Sequence, residues 1–204
     1  MARPVETHDD TLLDAASRVL MTAGPAAFTL ARVAEVAGVS AATLVKRFGS
    51  KQELLLRLSQ RWVASLDQEL EMAAAKRRSP LARFRAVALH NYHELDHADT
   101  AALQLAALAV DLQDDEMREL LHRGWGRVRS HLSIHAEQAI AEGDLVGSPP
   151  PRQLARIVVG AMEGGCLAWS VHPEGSLVRR LGADLDALLS GWTTRPKATR
   201  RRSP

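Results

Sequence analysis

Apolar residues recur every three to four positions through almost the whole chain, and nowhere do they alternate with the two-residue period of a half-buried strand. Leu12, Leu13, Ala16, Val19, Leu20 and Ala23 form the first stripe, opened by a Thr7–Asp10 capping box and closed by Gly24-Pro25. Thr29 caps a short second helix that runs to about Ala37. Gly38 makes a tight turn, Ser40 caps a third helix to about Phe48, and Gly49 ends it. Ser50 and Glu53 open a fourth helix, striped by Leu54, Leu55, Leu58, Trp62, Leu66 and Leu70. Ser79 and Pro80 start the next, and the periodicity then predicts helices over 80–97, about 100–112, 115–142, 151–171 and 176–190. Gly143, the prolines at 149–151 and the stretch 172–175 supply the breaks. The expectation is an all-α protein of about nine helices, with no repeat of solenoid period.

Composition agrees with this picture and narrows it. Of 204 residues 46% are hydrophobic and only 4% aromatic, so the chain can bury a core built mainly of Ala and Leu, which suits helices better than pleated sheets. One cysteine, Cys166, excludes an intramolecular disulfide and fits a reducing compartment. No uncharged apolar run approaches the roughly 18 residues of a membrane span, and the first residues lack a signal-peptide core. A soluble cytoplasmic protein with no membrane partner is expected. The net charge of +2 hides an asymmetry: Arg195, Lys197, Arg200, Arg201 and Arg202 crowd the end, and without these five cations the remainder stands at −3. The stretch 191–204 is therefore expected to be a disordered basic tail, with contact to nucleic acid as the alternative.

The most specific segment is TLARVAEVAGVSAATLVKRF, residues 29–48. Val33, Ala34, Ala37, Val39, Leu44 and Phe48 are placed to lock two short helices against the first one. Ser40, Ala41, Ala42, Thr43, Lys46 and Arg47 are left facing outward, the layout of a helix-turn-helix whose second helix enters the major groove. Small residues at 41 and 42 permit close approach to base edges, and an Ala methyl can meet a thymine methyl. Thr43 offers a hydroxyl, while Thr29, Arg32, Lys46, Arg47 and Lys51 suit phosphate oxygens.

From about Asp10 to Leu58 the chain resembles the DNA-binding domain of the TetR family of transcriptional repressors. LLDAASRVL, Gly24, TLARVAEVAGVSAATL and RFGSKQELL carry the likeness, which extends loosely over the later helices. The resemblance implies a head over 1–50, a ligand-binding and dimerisation body over 51–190, and a homodimer that binds double-stranded operator DNA and is released by a small-molecule effector. Two positions depart from the family pattern. Val45 stands where a Tyr usually holds a phosphate, and Arg47 stands where His is frequent.

In the body, Gly160 and Gly164 lie four apart within GAMEGGCLAWS, beside Ala168. A glycine inside a helix costs about 1 kcal/mol relative to Ala, so close approach of another helix is the expected reason. With Leu181 and Leu185 of the final helix they make the candidate dimer interface. Met117, Leu121, Trp125, Val128, Leu132, His135 and Ala139 share one predicted face, and Trp125, His131 and His135 are the candidate pocket residues, although a His or Trp on such a face is more often a core residue than a ligand contact.

HELDH, residues 93–97, spells the H-E-x-x-H of zinc proteases. On a helix over 80–97 His93 and His97 fall four apart on the face opposite Leu81, Phe84, Ala88, Tyr92 and Leu95, so they could hold zinc. A third ligand is not evident: Glu116 lies on another predicted helix, and no strand is predicted to align a peptide. No cofactor, metal or catalytic residue is therefore expected. A zinc hydrolase at HELDH and a sensor that keeps the fold without reading DNA are the two alternatives.

Overall fold

A computed structural model describes residues 8–194. Among them are nine α-helices: α1 (Asp9–Ala27), α2 (Leu30–Ala37), α3 (Ala41–Phe48), α4 (Lys51–Ala75), α5 (Pro80–Leu89), α6 (Ala98–Asp111), α7 (Asp115–Ala141), α8 (Pro151–Val171) and α9 (Leu177–Leu189). The predicted cap at Thr7 and the basic end from Arg195 onward lie outside the described residues. Ser40, Ser50, Ser79 and Ser176 each accept a backbone N–H in the first turn of the helix they precede, at 3.1–3.2 Å. Asp114 does the same for α7, accepting from both Glu116 and Met117 at 3.0 Å.

Two cores form. The smaller joins α1, α2, α3 and the start of α4 through Leu12, Val19, Phe28, Val33, Leu44 and Leu54. The larger packs α5, α7, α8 and α9 around Phe84, Leu132, Val158 and Trp169, with the far half of α4 contributing Leu66 and Leu70. A third cluster of Leu56, Val63, Met117 and Leu120 sits between them. Helix α4 runs through all three, which explains why its buried positions depart from a single stripe. Leu56, Val63 and Ala74 are buried, while the predicted Leu55, Leu58 and Trp62 are only half-covered.

On α7 the buried face is likewise rotated from the prediction. Met117, Val128, Leu132 and Ala139 are buried as expected, but Leu120, Gly124 and Ala136 complete the face in place of Leu121, Trp125 and His135. The physical reason is at Gly124, where any Cβ would strike the Trp62 ring. The glycine lets α4 lie against α7 and turns Trp125 aside. On α8, by contrast, Leu154, Val158, Met162, Cys166 and Trp169 are buried inside the bundle. By length and composition alone α8 would suffice to cross a membrane; here that apolar face is core.

The run predicted as one helix over 80–97 is not one. Helix α5 ends at Leu89, residues His90–Leu95 form a 3-10 turn, and His97 stands at the N-terminal cap of α6. Tyr92 and Leu95 are buried by this tightening, and Asp96 accepts from the Ser176 hydroxyl at 2.8 Å and from Val178 N–H at 3.3 Å. The segment is a junction that anchors the start of α9.

Head and body touch where Gly24 meets α6. Gly24 has φ 73° and ψ 174°, a conformation nearly confined to glycine, and it ends the regular part of α1 just before Pro25, as predicted. An added Cβ would lie 2.5 Å from Leu103 Cδ2. Gly24→Ala is expected to destabilise the protein by about 1–3 kcal/mol from backbone strain alone, read by urea denaturation; an unchanged midpoint would contradict this account of the junction.

A second prediction concerns Asp111 at the end of α6, whose carboxyl is pushed up to about 6 by burial and by the nearby charge of Asp114. The folded state thus holds this proton more tightly than the unfolded chain does. The stabilisation it gives is complete below the unfolded value and is lost as pH rises through about 6. Asp111→Asn is expected to raise the melting temperature at pH 8 and to leave it unchanged near pH 4. A gain at pH 4 instead would mean that the charge is not what matters.

Candidate nucleic-acid interface

Helices α2 and α3 meet at a tight turn built from three local features. Thr29 Oγ1 accepts from Arg32 N–H at 3.2 Å and starts α2. Gly38 adopts the left-handed conformation, φ 68°, and Val39 N–H bonds back to Ala34 carbonyl at 3.0 Å, a Schellman closure. Ser40 then caps α3, its Oγ 3.2 Å from Thr43 N and 2.9 Å from Thr43 Oγ1. Leu44 and Phe48 turn inward to the α1 core.

What remains outside is the surface the sequence predicts. Ser40, Ala41, Ala42, Lys46 and Arg47 are exposed, Thr43 is half-buried, and Thr29 and Arg32 flank them at the start of α2. The first turn of α3 ends in small side chains with its leading N–H groups facing solvent, an end that an anionic backbone can approach closely. Val36 and Val45, 44% and 51% exposed, add apolar contact area on the same pair of helices.

Two of the cations have internal partners. Arg47 Nη1 lies 2.6 Å from Asp9 Oδ1, tying α3 to the start of α1. Lys51 Nζ donates to Pro25 carbonyl at 2.9 Å and lies 5.7 Å from the Phe28 ring centroid, tying α4 to the end of α1. Both remain exposed, so each position combines a structural tie with a charge near the candidate surface. Lys46 is exposed on α3 between them.

The head is clasped to the rest by α4. Arg61 reaches Asp14 at 2.8 Å and Asp10 carbonyl at 3.2 Å, and Gln52 donates to the α7 cap Asp114 at 2.8 Å. Farther along, Asp67 on α4 accepts from Arg127 at 2.6 Å and lies 3.1 Å from His131 Nε2.

The candidate pocket residues separate. Trp125 lines a cleft between α5, α7 and α8, together with Asn91, Tyr92, Met162 and Glu163, whose free space of about 10 Å³ is room for a single water. His131 instead faces Asp67, and His135 lies 3.4 Å from Gln138 with its pKa lowered by burial; neither lines the cleft. Tyr92 and Glu163 escaped the sequence reading. The available signal was Glu163 as the only charge in the otherwise uncharged run from Ile157 to Val171.

Among the candidate interface residues, Gly160, Gly164 and Ala168 are exposed on α8. Leu181 and Leu185 are not: both are fully buried in the protomer core, because α9 turns its leucines onto α8. Gly165 is what admits Leu181, since a Cβ there would come within 2.6 Å of Leu181 Cδ2.

At HELDH the helix that zinc chemistry requires is absent. His93 is in the 3-10 turn and His97 beyond it, so the one-face, one-turn spacing is lost, and no group of three or more potential ligands converges among the described residues.

The model of the bacterial regulatory proteins of the tetR family matches residues 12–58, the segment that builds this head. The regulator BetI of Brucella anthropi is 31% identical over 128 residues, 62% of this chain and 66% of BetI. BetI of Rhizobium meliloti is 32% identical over 124 residues, covering 60% and 61%. Over residues 12–58 the chain belongs to the TetR family. It aligns with just under two thirds of the length of these relatives. Solved structures extend the TetR-family likeness across the bundle as fold alone. SmeT, the repressor of a Stenotrophomonas maltophilia multidrug efflux pump, is 24% identical, covers 98% of both chains and has a TM-score of 0.68. Reduced NemR of E. coli is 19% identical, covers 92% of this chain and 98% of its own, and has a TM-score of 0.75.

Proposed function

We propose that the protein is a homodimeric, sequence-specific DNA-binding transcriptional regulator of the cytoplasm, a repressor released from its operator by a small molecule. The observation that carries this reading is the α2–α3 pair, with the small, capped end of α3 exposed and its apolar side locked to α1. Repression, rather than activation, comes from the family.

The outer face of α8 supports the dimer. Beyond the backbone of α8 itself, Gly160 and Gly164 have no atom of the protomer within 4 Å of where a Cβ would stand, so no packing inside the protomer accounts for them. They lie beside Leu167 and Val171, which are 54% and 80% exposed. A second copy packed across this face would cover the apolar side chains and use the close approach that glycine permits. Two-fold symmetry would then present two α3 helices to adjacent major grooves.

Release would use α4 as the lever. An effector that binds the body better in a second arrangement shifts the population away from the DNA-competent one. The Trp62–Gly124 contact and the Gln52–Asp114 bond are the places where body motion reaches the head. A mobility-shift titration with DNA from beside the protein's own coding region tests this: a discrete complex that dissolves on adding a small-molecule extract of the source cells is expected. A complex that no extract or salt-matched control distinguishes would count against effector release.

A further inference from the structure

The cleft between α5, α7 and α8 is lined by apolar side chains, Val87, Val128 and Met162 among them, yet one carboxyl points into it. Glu163 accepts a hydrogen bond from Tyr92 Oη at 3.0 Å. Among the described residues no Lys, Arg or His forms an ion pair with it. Two acids of α4 that face the body do have basic partners: Asp67 has Arg127 and His131, and Glu69 has His90. A carboxylate among apolar walls with one neutral donor is costly unless something supplies the opposite charge. Burial accordingly pushes the Glu163 carboxyl up, against the smaller opposing effect of the Tyr92 bond.

The rings beside it fit the same missing charge. Tyr92 and Trp125 both line the cleft, and the faces of such rings attract cations, most of all weakly hydrated organic ones. Asn91 is the other polar side chain in the lining. We propose that this cleft takes an organic monocation, an ammonium carrying apolar substituents, with Glu163 as its counter-charge and the Tyr92 and Trp125 rings against it. The inference rests on the ligand-responsive reading above and names the chemical class of its effector.

The closed cleft has room for only a water, so entry requires its walls to move. Met162 is adaptable, and Trp125 is only half-buried. Trp125 directly follows Gly124, on which the Trp62 ring of α4 rests. A cation that displaces Trp125 therefore disturbs the Trp62–Gly124 contact between α7 and the lever. Ligand and lever share two adjacent residues of α7, which gives the coupling a physical path.

The test is equilibrium dialysis of the full-length protein with benzyltrimethylammonium, its uncharged carbon isostere neopentylbenzene, and phenylacetate. The cation is expected to bind at least tenfold more tightly than either comparison compound. Glu163→Gln is expected to lose at least tenfold in cation affinity with its melting temperature retained. Tyr92→Phe removes the same hydrogen bond but keeps the carboxylate, and is expected to lose less than threefold. Equal binding of the isostere, preference for the anion, no binding of the cation, or equal losses in the two variants would each overturn the proposal. DNA binding is read separately by mobility shift. Glu163-dependent cation binding without any DNA complex would sink the regulator reading and leave this one standing; an intact DNA complex with no cation binding would do the reverse.

Discussion

Replacing Ala42 with Glu is expected to lower the affinity for the proposed operator DNA by about a hundredfold or more, close to 3 kcal/mol at 1.4 kcal/mol per tenfold, while the melting temperature holds or rises. Ala42 is exposed in the first turn of α3, two residues after the Ser40 cap. An acid in that turn favours the helix itself, by about 0.3–1 kcal/mol through the helix dipole. Against DNA the same carboxylate meets phosphate and fills the space that the small residue leaves for a base edge. Stability and binding should therefore move in opposite directions, a pattern that unfolding of the head would not produce. Fluorescence anisotropy on labelled operator, beside thermal melts, reads both. Affinity within threefold of the parent would remove α3 from the interface.

Gly164→Trp is expected to convert the proposed dimer to a monomer and, through it, to cost at least as much DNA affinity. Inside the protomer the substitution has open space, and it replaces a glycine that costs a helix about 1 kcal/mol relative to Ala. The monomer should fold normally by circular dichroism. An indole at the centre of a glycine-lined contact forbids the close approach of a second α8, and a lone head loses the half-site partner that two-fold binding supplies. Sedimentation velocity distinguishes the outcomes. A variant that remains dimeric would place the interface elsewhere. The neighbouring Gly165→Trp is a useful contrast, because Leu181 already occupies that space and the variant should lose stability instead.

The parts of this molecule that local chemistry determines were readable from the chain. Ser40, Ser50 and Ser79 cap where predicted, Gly38 turns where predicted, and Leu44 and Phe48 bury where the pattern places them. These depend on neighbours within a few residues. Where a helix has several partners, periodicity gave only part of the buried face: α4 serves three clusters, and α7 is rotated where Trp62 sits on Gly124. HELDH shows the same limit. Its helical spacing was a property of the letters, whereas Asp96 is drawn to Ser176 and Val178, eighty residues away, and the chain tightens into a 3-10 turn.

At the candidate sites, exposure on α3 was legible because it is the complement of a short buried stripe. The cleft was not, since Tyr92 and Glu163 meet only after the 3-10 turn that follows α5 packs against α8. Leu181 and Leu185 were assigned to the dimer face for a related reason: a leucine stripe shows that a helix buries one side, and not whether the other wall is its own chain or a copy. Arg47 and Lys51 carry a further lesson, as each cation near the candidate surface also holds α1 in place.

The central claim, that this head reads DNA as half of a symmetric pair, is tested most directly by selecting genomic fragments on the purified protein and sequencing what is retained. Enrichment of a common inverted repeat is predicted, with half-sites about one helical turn or a simple multiple apart, roughly 34–36 Å per turn. Retention of fragments with no shared sequence, equally displaced by unrelated DNA, would contradict the account and leave a ligand sensor that keeps the fold without reading DNA.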